Sequence, residues 1–241
     1  MRIAHIVCAY PPYYSGMGSV VFQMCEELGR QGHEVEVFTP GMYERKEIRT
    51  KETPSARTHE KILTEQIATV RRLTPSIAYG NAARLPTIEQ ELDGFDLVHL
   101  HYPFFGTANL VRRWKRRHPD RPLVITYHMD TRAPGWKGLL FRWYAAYWMP
   151  KILDSADLVI GSSFEYIQAS DARRHFETHK EKWMELPFGV DLERFAPRER
   201  SKHLMGGLLP DSSLPVLLFV GGMDEAHYFK GIPVLLRALI L

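Results

Sequence analysis

Polar side chains follow three predicted strands at the point where each strand ends. His101 and Tyr102 follow one apolar segment, His128 and Asp130 follow the next, and Ser163 follows a third. Ligands of open α/β sheets bind in the crevice outside the carboxyl ends of the strands. Imidazole, phenol, hydroxyl and carboxylate groups gathered there can hold and orient a substrate hydroxyl. The spacing therefore predicts a ligand-binding crevice along one edge of a sheet.

His128 is the main catalytic candidate of this set, because an imidazole titrates near neutral pH and can donate to or orient a hydroxyl. Asp130, two residues later, is its expected partner. Each of these residues also has a structural interpretation, which stays open. His101 and His128 could be hydrogen-bonded within their loops, and Ser163 could cap the helix that follows it.

A glycine-containing turn joins the first predicted strand, residues 3–8, to a helical pattern that contains Val21. Gly16 and Gly18 lie where that helix begins, and a helix N-terminus suits an anion such as a phosphate. Glycines also let a ligand approach the backbone closely. A dinucleotide fingerprint would need a third glycine where Val21 stands and an acidic residue near Thr39. A nicotinamide cofactor is therefore not favoured.

Short apolar segments alternate with helical patterns along most of the chain. This alternation predicts an α/β fold built on a doubly wound parallel sheet. Residues 41–65 are polar and predict a long excursion with little buried structure. The predicted strands cover residues 3–8, 34–39, 67–73, 96–100, 123–127, 157–160 and 183–186.

The organisation of the chain is expected to change after residue 196. Residues 1–196 would form the sheet domain, and residues 197–214 a linker with charges, glycines and prolines. Residues 215–241 would be the truncated start of a second domain. In it, the apolar run 216–220 predicts a buried strand, and 232–241 predicts the beginning of an apolar helix.

The composition is that of an ordinary globular protein: of 241 residues, 45% are hydrophobic and 24% are charged, with a net charge of +3. Cys8 and Cys25 are too few for a disulfide framework, so a reducing compartment is expected. The first residues show no signal-peptide pattern, and no apolar segment is long enough to span a bilayer. One basic cluster without a recognised motif does not favour nucleic acid.

Two segments could contact a membrane. An aromatic helix predicted at 136–153 is expected to pack against the sheet as a core helix, and an interfacial helix is the alternative. A basic cluster around Trp114 could be a solvated helix face or a contact with anionic lipid headgroups, and the sequence leaves both open. The cluster consists of Arg112, Arg113, Lys115, Arg116 and Arg117.

Six sequence segments, taken in order, resemble those of family-4 glycosyltransferases with the GT-B fold. They are YPPYYSGMG followed by GHEVEVFT, then DLVHLHYP, VITYHMD, ADLVIGSS, LPFGVDLERFAP and LLFVGGMDEAHYFKG. The resemblance covers essentially the whole chain. It implies two Rossmann-like domains with the active site in the cleft between them. The N-terminal domain would bind mainly the acceptor and the C-terminal domain mainly the donor.

The resemblance also implies a reaction. Such enzymes transfer a sugar from a nucleotide-diphosphate sugar to an acceptor hydroxyl with retention, and they need no metal or other cofactor. The implied acceptor is a carbohydrate or a lipid-linked molecule of carbohydrate or cell-envelope biosynthesis. The implied location is the cytoplasm, with peripheral contact at the cytoplasmic face of the membrane.

Matching the segments position by position implies roles for individual residues. Gly16 and Gly18 match the loop that faces the donor diphosphate, and Lys230 matches a lysine that binds donor phosphate. His128 matches the histidine near the transferred sugar, with Asp130 beside it as the second catalytic candidate. The acceptor-side candidates are Tyr13, His101, Tyr102 and Ser163.

Two departures from the family pattern limit what the chain alone can do. Gly222 stands where the family often has a phosphate-binding arginine, and the paired-glutamate motif that holds sugar and ribose would lie beyond Leu241. We therefore expect the chain by itself to fold as an acceptor domain and to be nearly inactive in transfer.

Two other functions stay open. The chain could be a non-catalytic or partner-dependent binding module, such as half of a split enzyme. The apolar segment 232–241 favours that interpretation, since it could mediate self-association. Another nucleotide-binding Rossmann enzyme is less favoured, because Val21 and the missing acidic residue depart from its fingerprint.

Overall fold

The computed structural model describes residues 1–13, 15–41, 67–193, 195–197, 217–221 and 230–239. The predicted excursion at 41–65 lies outside this description except for its first residue. Nine strands occur in the described residues. They are β1 (Arg2–Ile6), β2 (Glu34–Pro40), β3 (Thr69–Leu73), β4 (Ile77–Tyr79), β5 (Ala82–Arg84), β6 (Leu97–Tyr102), β7 (Leu123–Tyr127), β8 (Leu158–Gly161) and β9 (Trp183–Glu185).

Seven of these strands form one parallel sheet in the order β3-β2-β1-β6-β7-β8-β9, and β4 and β5 form a separate antiparallel hairpin. The predicted doubly wound α/β fold is thereby confirmed. The strand order reverses between β1 and β6, which is the topological switch point where open sheets of this kind bind ligands. All seven carboxyl ends lie at the same edge of the sheet.

Seven α-helices occur in the described residues, and two of them, α1 and α4, exceed ten residues. They are α1 (Gly16–Arg30), α2 (Ile88–Glu91), α3 (Ala108–Arg117), α4 (Gly135–Asp154), α5 (Phe164–Ala169), α6 (Arg173–Thr178) and α7 (Ile232–Ala238). No helix among the described residues is long and apolar enough to cross a membrane.

The central strands are apolar and buried, as expected for a parallel sheet covered on both faces. Ala4 and Ile6 of β1 and Val98 and Leu100 of β6 are fully inaccessible to solvent. Helix α1 packs on the sheet through Val21 and other apolar side chains. Both cysteines are buried free thiols, in line with the absence of a disulfide framework.

The expectation of a core helix is wrong for most of α4. Only Met149, Ile152 and Leu153, near its C-terminal end, are buried. Trp136 and Trp143 instead expose 71% and 53% of their surface. The reason is that this helix carries large apolar side chains on more than one face, and one sheet contact can cover only one of them.

Several members of the basic cluster of α3 make contacts within the protein, and its contact with a membrane stays a prediction. Lys115 is buried, and its Nζ donates to the carbonyls of Pro119 and Arg121 at 2.7 Å. Arg113 and Arg117 both form ion pairs with Glu89. The remaining members differ: Arg116 is exposed, and the Arg112 guanidinium lies over the Trp148 ring.

The chain divides into two compact units, Met1–Val190 and Asp191–Leu241. The predicted strand at 216–220 is wrong over its described part, because residues 217–220 adopt no regular structure and Leu218 is 84% exposed. No described strand lies beside this segment to complete its hydrogen bonds. Helix α7 has no buried residue. The limits 1–196, 197–214 and 215–241 stay predictions.

Replacing Lys115 should test its structural role. Lys115→Met would remove the donor to the Pro119 and Arg121 carbonyls and the ion pair with Asp157, 2.8 Å from Nζ, whose carboxylate would keep its hydrogen bond from the Leu123 backbone N–H. We expect the free energy of unfolding to fall by about 2 kcal/mol, measured by urea denaturation. Arg116→Met, at an exposed position of the same helix, should change it by less than about 0.5 kcal/mol. Equal effects would show that Lys115 is merely a surface residue.

Candidate functional site

Four imidazoles meet at the switch point of the sheet. His5 lies on β1, His99 and His101 lie on β6, and His128 follows β7. Because β1 and β6 pair in parallel with His5 opposite His99, and because His99 and His101 are two residues apart, all three rings can share one face of the sheet. The strand register thus brings together residues that are far apart in sequence.

Three of these rings form a continuous hydrogen-bonded series, which we call the histidine chain: His5, His101 and His128. His5 Nδ1 lies 3.0 Å from His101 Nε2, and His101 Nδ1 lies 2.9 Å from His128 Nε2. His99 is placed beside them by stacking on His101, with 4.4 Å between ring centroids, and its Nε2 lies 2.7 Å from Thr126 Oγ1.

Burial keeps all four imidazoles neutral at pH 7. It lowers the pKa of His5 and of His128 from 6.5 to about 4. The pKa values of His99 and His101 lie well below the usual range, first because of burial and then because of the neighbouring imidazoles. Removing an imidazolium from water is unfavourable, and no carboxylate of the described residues contacts these rings to offset that cost.

Neutral rings allow two proton arrangements in the histidine chain, because each nitrogen–nitrogen contact holds one proton. In the first, His5 Nδ1–H donates to His101, and His101 Nδ1–H donates to His128 Nε2, so that His128 carries its proton on Nδ1. In the second, every proton is reversed, and His5 must bury a proton on Nε2. That nitrogen is buried and has no hydrogen-bond partner.

The first arrangement is favoured, since an orphaned buried N–H is rarer than an unpaired acceptor. Among the described residues no hydrogen bond is made to His128 Nδ1, so this N–H is the open end of the histidine chain. The His128 backbone N–H donates to the Tyr102 carbonyl at 2.9 Å, and its ring stacks on Phe188. His128 is therefore held as a neutral donor of fixed orientation.

Asp130 is not joined to His128 by any contact in the described part of the chain. Its Oδ1 accepts from the Tyr127 hydroxyl at 2.5 Å and from the Asp171 backbone N–H at 3.1 Å, and its Oδ2 accepts from Arg132 at 2.8 Å. The Asp130 backbone N–H donates to the Tyr166 hydroxyl. Asp130 thus anchors the loop that carries His128, and its predicted catalytic role stays a prediction.

The acceptor-side candidates do not all lie at the rim. Strand β6 runs two residues further than predicted, so His101 and Tyr102 are part of it and are buried. Tyr13 is partly buried in the loop after β1. Ser163 caps α5: its Oγ accepts from the Tyr166 backbone N–H at 3.3 Å and donates to Glu165. The capping interpretation thus accounts for Ser163.

The two glycines at the start of α1 differ in what surrounds them. Ser15 caps this helix by accepting from the Gly18 N–H at 2.9 Å. A Cβ on Gly18 would lie 2.6 Å from the Ala9 carbonyl oxygen, so Gly18 is required for close packing of helix on strand. A Cβ on Gly16 would meet nothing within 4 Å, so Gly16 faces open space where a ligand can approach.

Lys230 belongs to the second unit, Asp191–Leu241, where it stands just before α7. It is followed by Gly231, whose φ of 71° is in the left-handed region. Its role toward a donor phosphate stays a prediction.

Two groups of described residues have the spacing of metal ligands: His5 with His99 and His101, and Asp154 with His175 and His179. In the first group, His5 and His101 share a hydrogen bond and His99 Nε2 contacts Thr126. In the second group the Trp183 indole N–H donates to His175 Nδ1 at 3.1 Å. A neutral His175 must then carry its proton on Nε2, the nitrogen that a metal would need.

His5 and His99 are residues of the candidate site that the motif-based interpretation missed. A signal for both was present in the sequence. Histidines at positions 5, 99 and 101 interrupt otherwise apolar strands, and the alternation of His99 and His101 puts both on one face. Finding the contact with His5 additionally requires the order and register of β1 and β6.

The chain belongs to Glycosyltransferase Family 4, whose family profile matches residues 14–194. The sheet and the switch-point site described above lie within this range, apart from β1, which precedes it. The chain is 26% identical to the O-antigen chain mannosyltransferase C of Escherichia coli, over 99% of this chain and 57% of that protein. It is also 26% identical to a GDP-mannose-dependent alpha-mannosyltransferase of Mycolicibacterium smegmatis, over 98% of this chain and 60% of that protein.

A third relative is the phosphatidyl-myo-inositol mannosyltransferase of Mycolicibacterium smegmatis. It is 27% identical over 99% of this chain and 55% of its own length. The chain therefore spans somewhat more than half the length of the curated relatives it matches.

Substituting each of the two glycines of α1 should show which of them is required for the packing of this helix. Gly18→Ala is expected to lower the free energy of unfolding by about 2 kcal/mol, because its Cβ must displace backbone at Ala9. Gly16→Ala should change it by less than about 1 kcal/mol, since its Cβ enters open space. Thermal and urea denaturation of both variants measure this difference. Similar losses for the two would contradict the close contact at Gly18.

The buried imidazoles should make stability depend on pH. Folded His5 and His128 have pKa values lowered from 6.5 to about 4, so the unfolded chain binds more protons across that interval. The free energy of unfolding should fall as the pH drops from 6.5 toward 4, by up to about 1.4 kcal/mol per pH unit for each imidazole. Urea denaturation at a series of pH values measures this slope.

His101→Gln is the informative variant for this pH dependence, because it removes one titrating ring and keeps a polar side chain. Its slope between pH 6.5 and pH 4 should be shallower than that of the unsubstituted chain. An unchanged slope would mean that the imidazoles of the histidine chain are already protonated in the folded state or do not titrate in that interval.

Proposed function

We propose that this chain is the acceptor-side part of a retaining glycosyltransferase that uses a nucleotide-diphosphate sugar. The observation that carries the proposal is the neutral N–H of His128, fixed by the histidine chain at the switch point of the sheet. The membership of the glycosyltransferase family supports it. The names of the relatives make GDP-mannose the first donor to test.

In this proposal, His128 donates a hydrogen bond from Nδ1 to an oxygen of the transferred sugar or of the incoming acceptor. A neutral donor of fixed direction favours one orientation of the substrate, and burial prevents the ring from becoming an imidazolium. His101 and His5 are positioning residues, since they hold the proton arrangement that leaves the donor at the open end. Positioning of this kind lowers the barrier by reducing the entropy lost at the transition state.

The charge that develops on the leaving diphosphate needs its own stabilisation. Gly16 offers the N-terminal end of α1, whose dipole and unpaired N–H groups favour an anion, and its surroundings leave room for one. Lys230, in the second unit, would supply an ammonium group to a donor phosphate. The leaving phosphate would then accept the proton of the acceptor hydroxyl on the same face of the sugar.

The acceptor is proposed to be a carbohydrate or lipid-linked molecule of the cell envelope. Support comes from the names of two relatives, which refer to an O-antigen chain and to phosphatidyl-myo-inositol. A reaction of this kind would place the protein in the cytoplasm, at or near the membrane face.

A partner-dependent module is the second candidate, and one observation favours it. Helix α7 exposes Val234 and Leu236 and buries none of its residues, and Leu239, which follows it, is exposed too. Such a helix could pair with another chain or with a second copy. Size-exclusion chromatography with light scattering distinguishes a monomer from either assembly.

Transfer should depend on the His128 N–H. We expect His128→Phe to lower kcat at least 100-fold in the product of the complete reading frame, because phenyl keeps the stacking on Phe188 but cannot donate. The assay follows labelled mannose from GDP-mannose into acceptors extracted from host membranes, and proton NMR of the product reports retention. Calorimetric titration with GDP, UDP and ADP identifies the nucleotide.

Two controls accompany this assay. Arg174→Ala, at an exposed position of α6, should leave kcat within twofold. The 241-residue chain alone should show little or no transfer. An active His128→Phe variant would remove His128 from the proposed chemistry, and failure of the complete product to bind any of the three nucleotides would favour the partner-dependent module.

A further inference from the structure

Helix α4 carries an exposed row of large apolar side chains that we call the aromatic stripe: Trp136, Leu139, Leu140, Trp143 and Tyr147. Each of them exposes about half of its surface or more, from 48% for Tyr147 to 71% for Trp136. Single exposed apolar residues are common, but a contiguous row on one helix indicates an interaction site.

The spacing of the stripe shows that it is one face of the helix. Successive members stand three or four residues apart, except for the adjacent Leu139 and Leu140, and at about 100° per residue they fall within an arc of roughly 100°. Ile152, which packs into the core, lies on the opposite side, and the buried Met149 and Leu153 lie between it and the Leu139 edge of the stripe. The helix therefore has two apolar faces, and the sheet covers only the one near its C-terminal end.

Positive charge flanks the stripe without any negative charge inside it. Residues 131–153 contain Arg132, Lys137, Arg142 and Lys151 and no aspartate or glutamate. Lys151 Nζ lies 3.3 Å from the centre of the Tyr147 ring, so a cation is held directly against the stripe. Arg132 is paired with Asp130 and Asp171, which leaves three flanking cations.

The β4–β5 hairpin extends the same surface. Lys137 Nζ lies 2.7 Å from the Tyr79 hydroxyl, which fixes the hairpin beside the beginning of α4. Tyr79 and Ile77 each expose about 70% of their surface, at 71% and 72%. Because residues 77 and 79 alternate along a strand, their side chains point to one side of the hairpin.

Tryptophan, tyrosine and leucine on one face with lysine and arginine at its borders are the composition of helices that lie in a membrane interface. Protein–protein interfaces are also rich in tryptophan and tyrosine, so the aromatic side chains do not separate the two occupants. The charges decide between them, because cations border residues 131–153 with no aspartate or glutamate among them, which suits an anionic lipid surface. The described helices do not cross a bilayer, so the contact would be peripheral.

We propose that the aromatic stripe docks this protein on an anionic lipid surface, with the stripe in the interfacial layer and Lys137, Arg142 and Lys151 at the headgroups. This surface is distinct from the basic cluster of α3, most of which is buried or paired with other residues. Helix α4 begins seven residues after His128, so docking would hold the open end of the histidine chain near the membrane. The lipid contact stands independently of the proposed transferase activity.

Vesicle flotation tests the proposal with the 241-residue chain, without donor or acceptor, so that its outcome is separate from transfer. Binding is compared on phosphatidylcholine vesicles and on vesicles that also contain phosphatidylglycerol. We expect binding to the anionic vesicles and a loss of at least tenfold in Trp136→Gln/Trp143→Gln. Arg142→Gln should weaken binding to anionic vesicles about fivefold, and Arg174→Gln, exposed on α6, should not.

Brominated lipids locate the contact within the protein. Trp136 and Trp143 are exposed, Trp114 and Trp183 are buried, and Trp148 is partly buried, so most of the quenching should disappear in the Trp136→Gln/Trp143→Gln variant. Three results would overturn the proposal: no binding to either vesicle, equal binding of the double variant, or a dimer in light scattering that this variant converts to a monomer. The last would assign the stripe to a second copy of the chain.

Discussion

The parallel pairing of β1, β6 and β7 is the constraint on which the rest of this structure depends. It places His5, His101 and the residue after β7 side by side, so that three imidazoles separated by up to 123 positions share two hydrogen bonds of 3.0 and 2.9 Å. A shift of any of these strands by one residue would turn its side chains to the other face. The site is therefore specified by the sheet itself and not by a single loop.

Burial in that sheet also determines the chemistry of the site. Water is excluded from His5 and His101, so the rings stay neutral and the only low-cost arrangement of their protons directs an N–H outward at His128. The loop that carries His128 is in turn held by Asp130, whose carboxylate accepts from Tyr127 and Arg132. The residues predicted from their spacing thus differ in their contacts. His128 presents an N–H, His101 fixes the position of its proton, and Asp130 holds the loop that carries it.

Much of the fold could be predicted from the sequence, because strands buried on both faces read as apolar runs and helices show their period. All seven strands of the sheet and helix α4 were predicted within a few residues, and α1 lies where a helical pattern was recognised. Two predictions failed where local pattern does not decide burial. The run at 217–220 has no described strand beside it, and α4 has more apolar surface than the sheet can cover.

By itself, the sequence indicated the α/β class, the approximate positions of the strands and the family, and it predicted His128 as a candidate residue of the site. Only the tertiary structure decided that His5 and His99 belong with it, that Asp130 faces away into its own hydrogen bonds, and that Gly18 serves packing while Gly16 faces open space. The physical reason is the range of the interactions. Periodicity and turns act between neighbours in the chain, whereas tautomers, pKa values and exposed surfaces depend on which distant strands and helices come into contact.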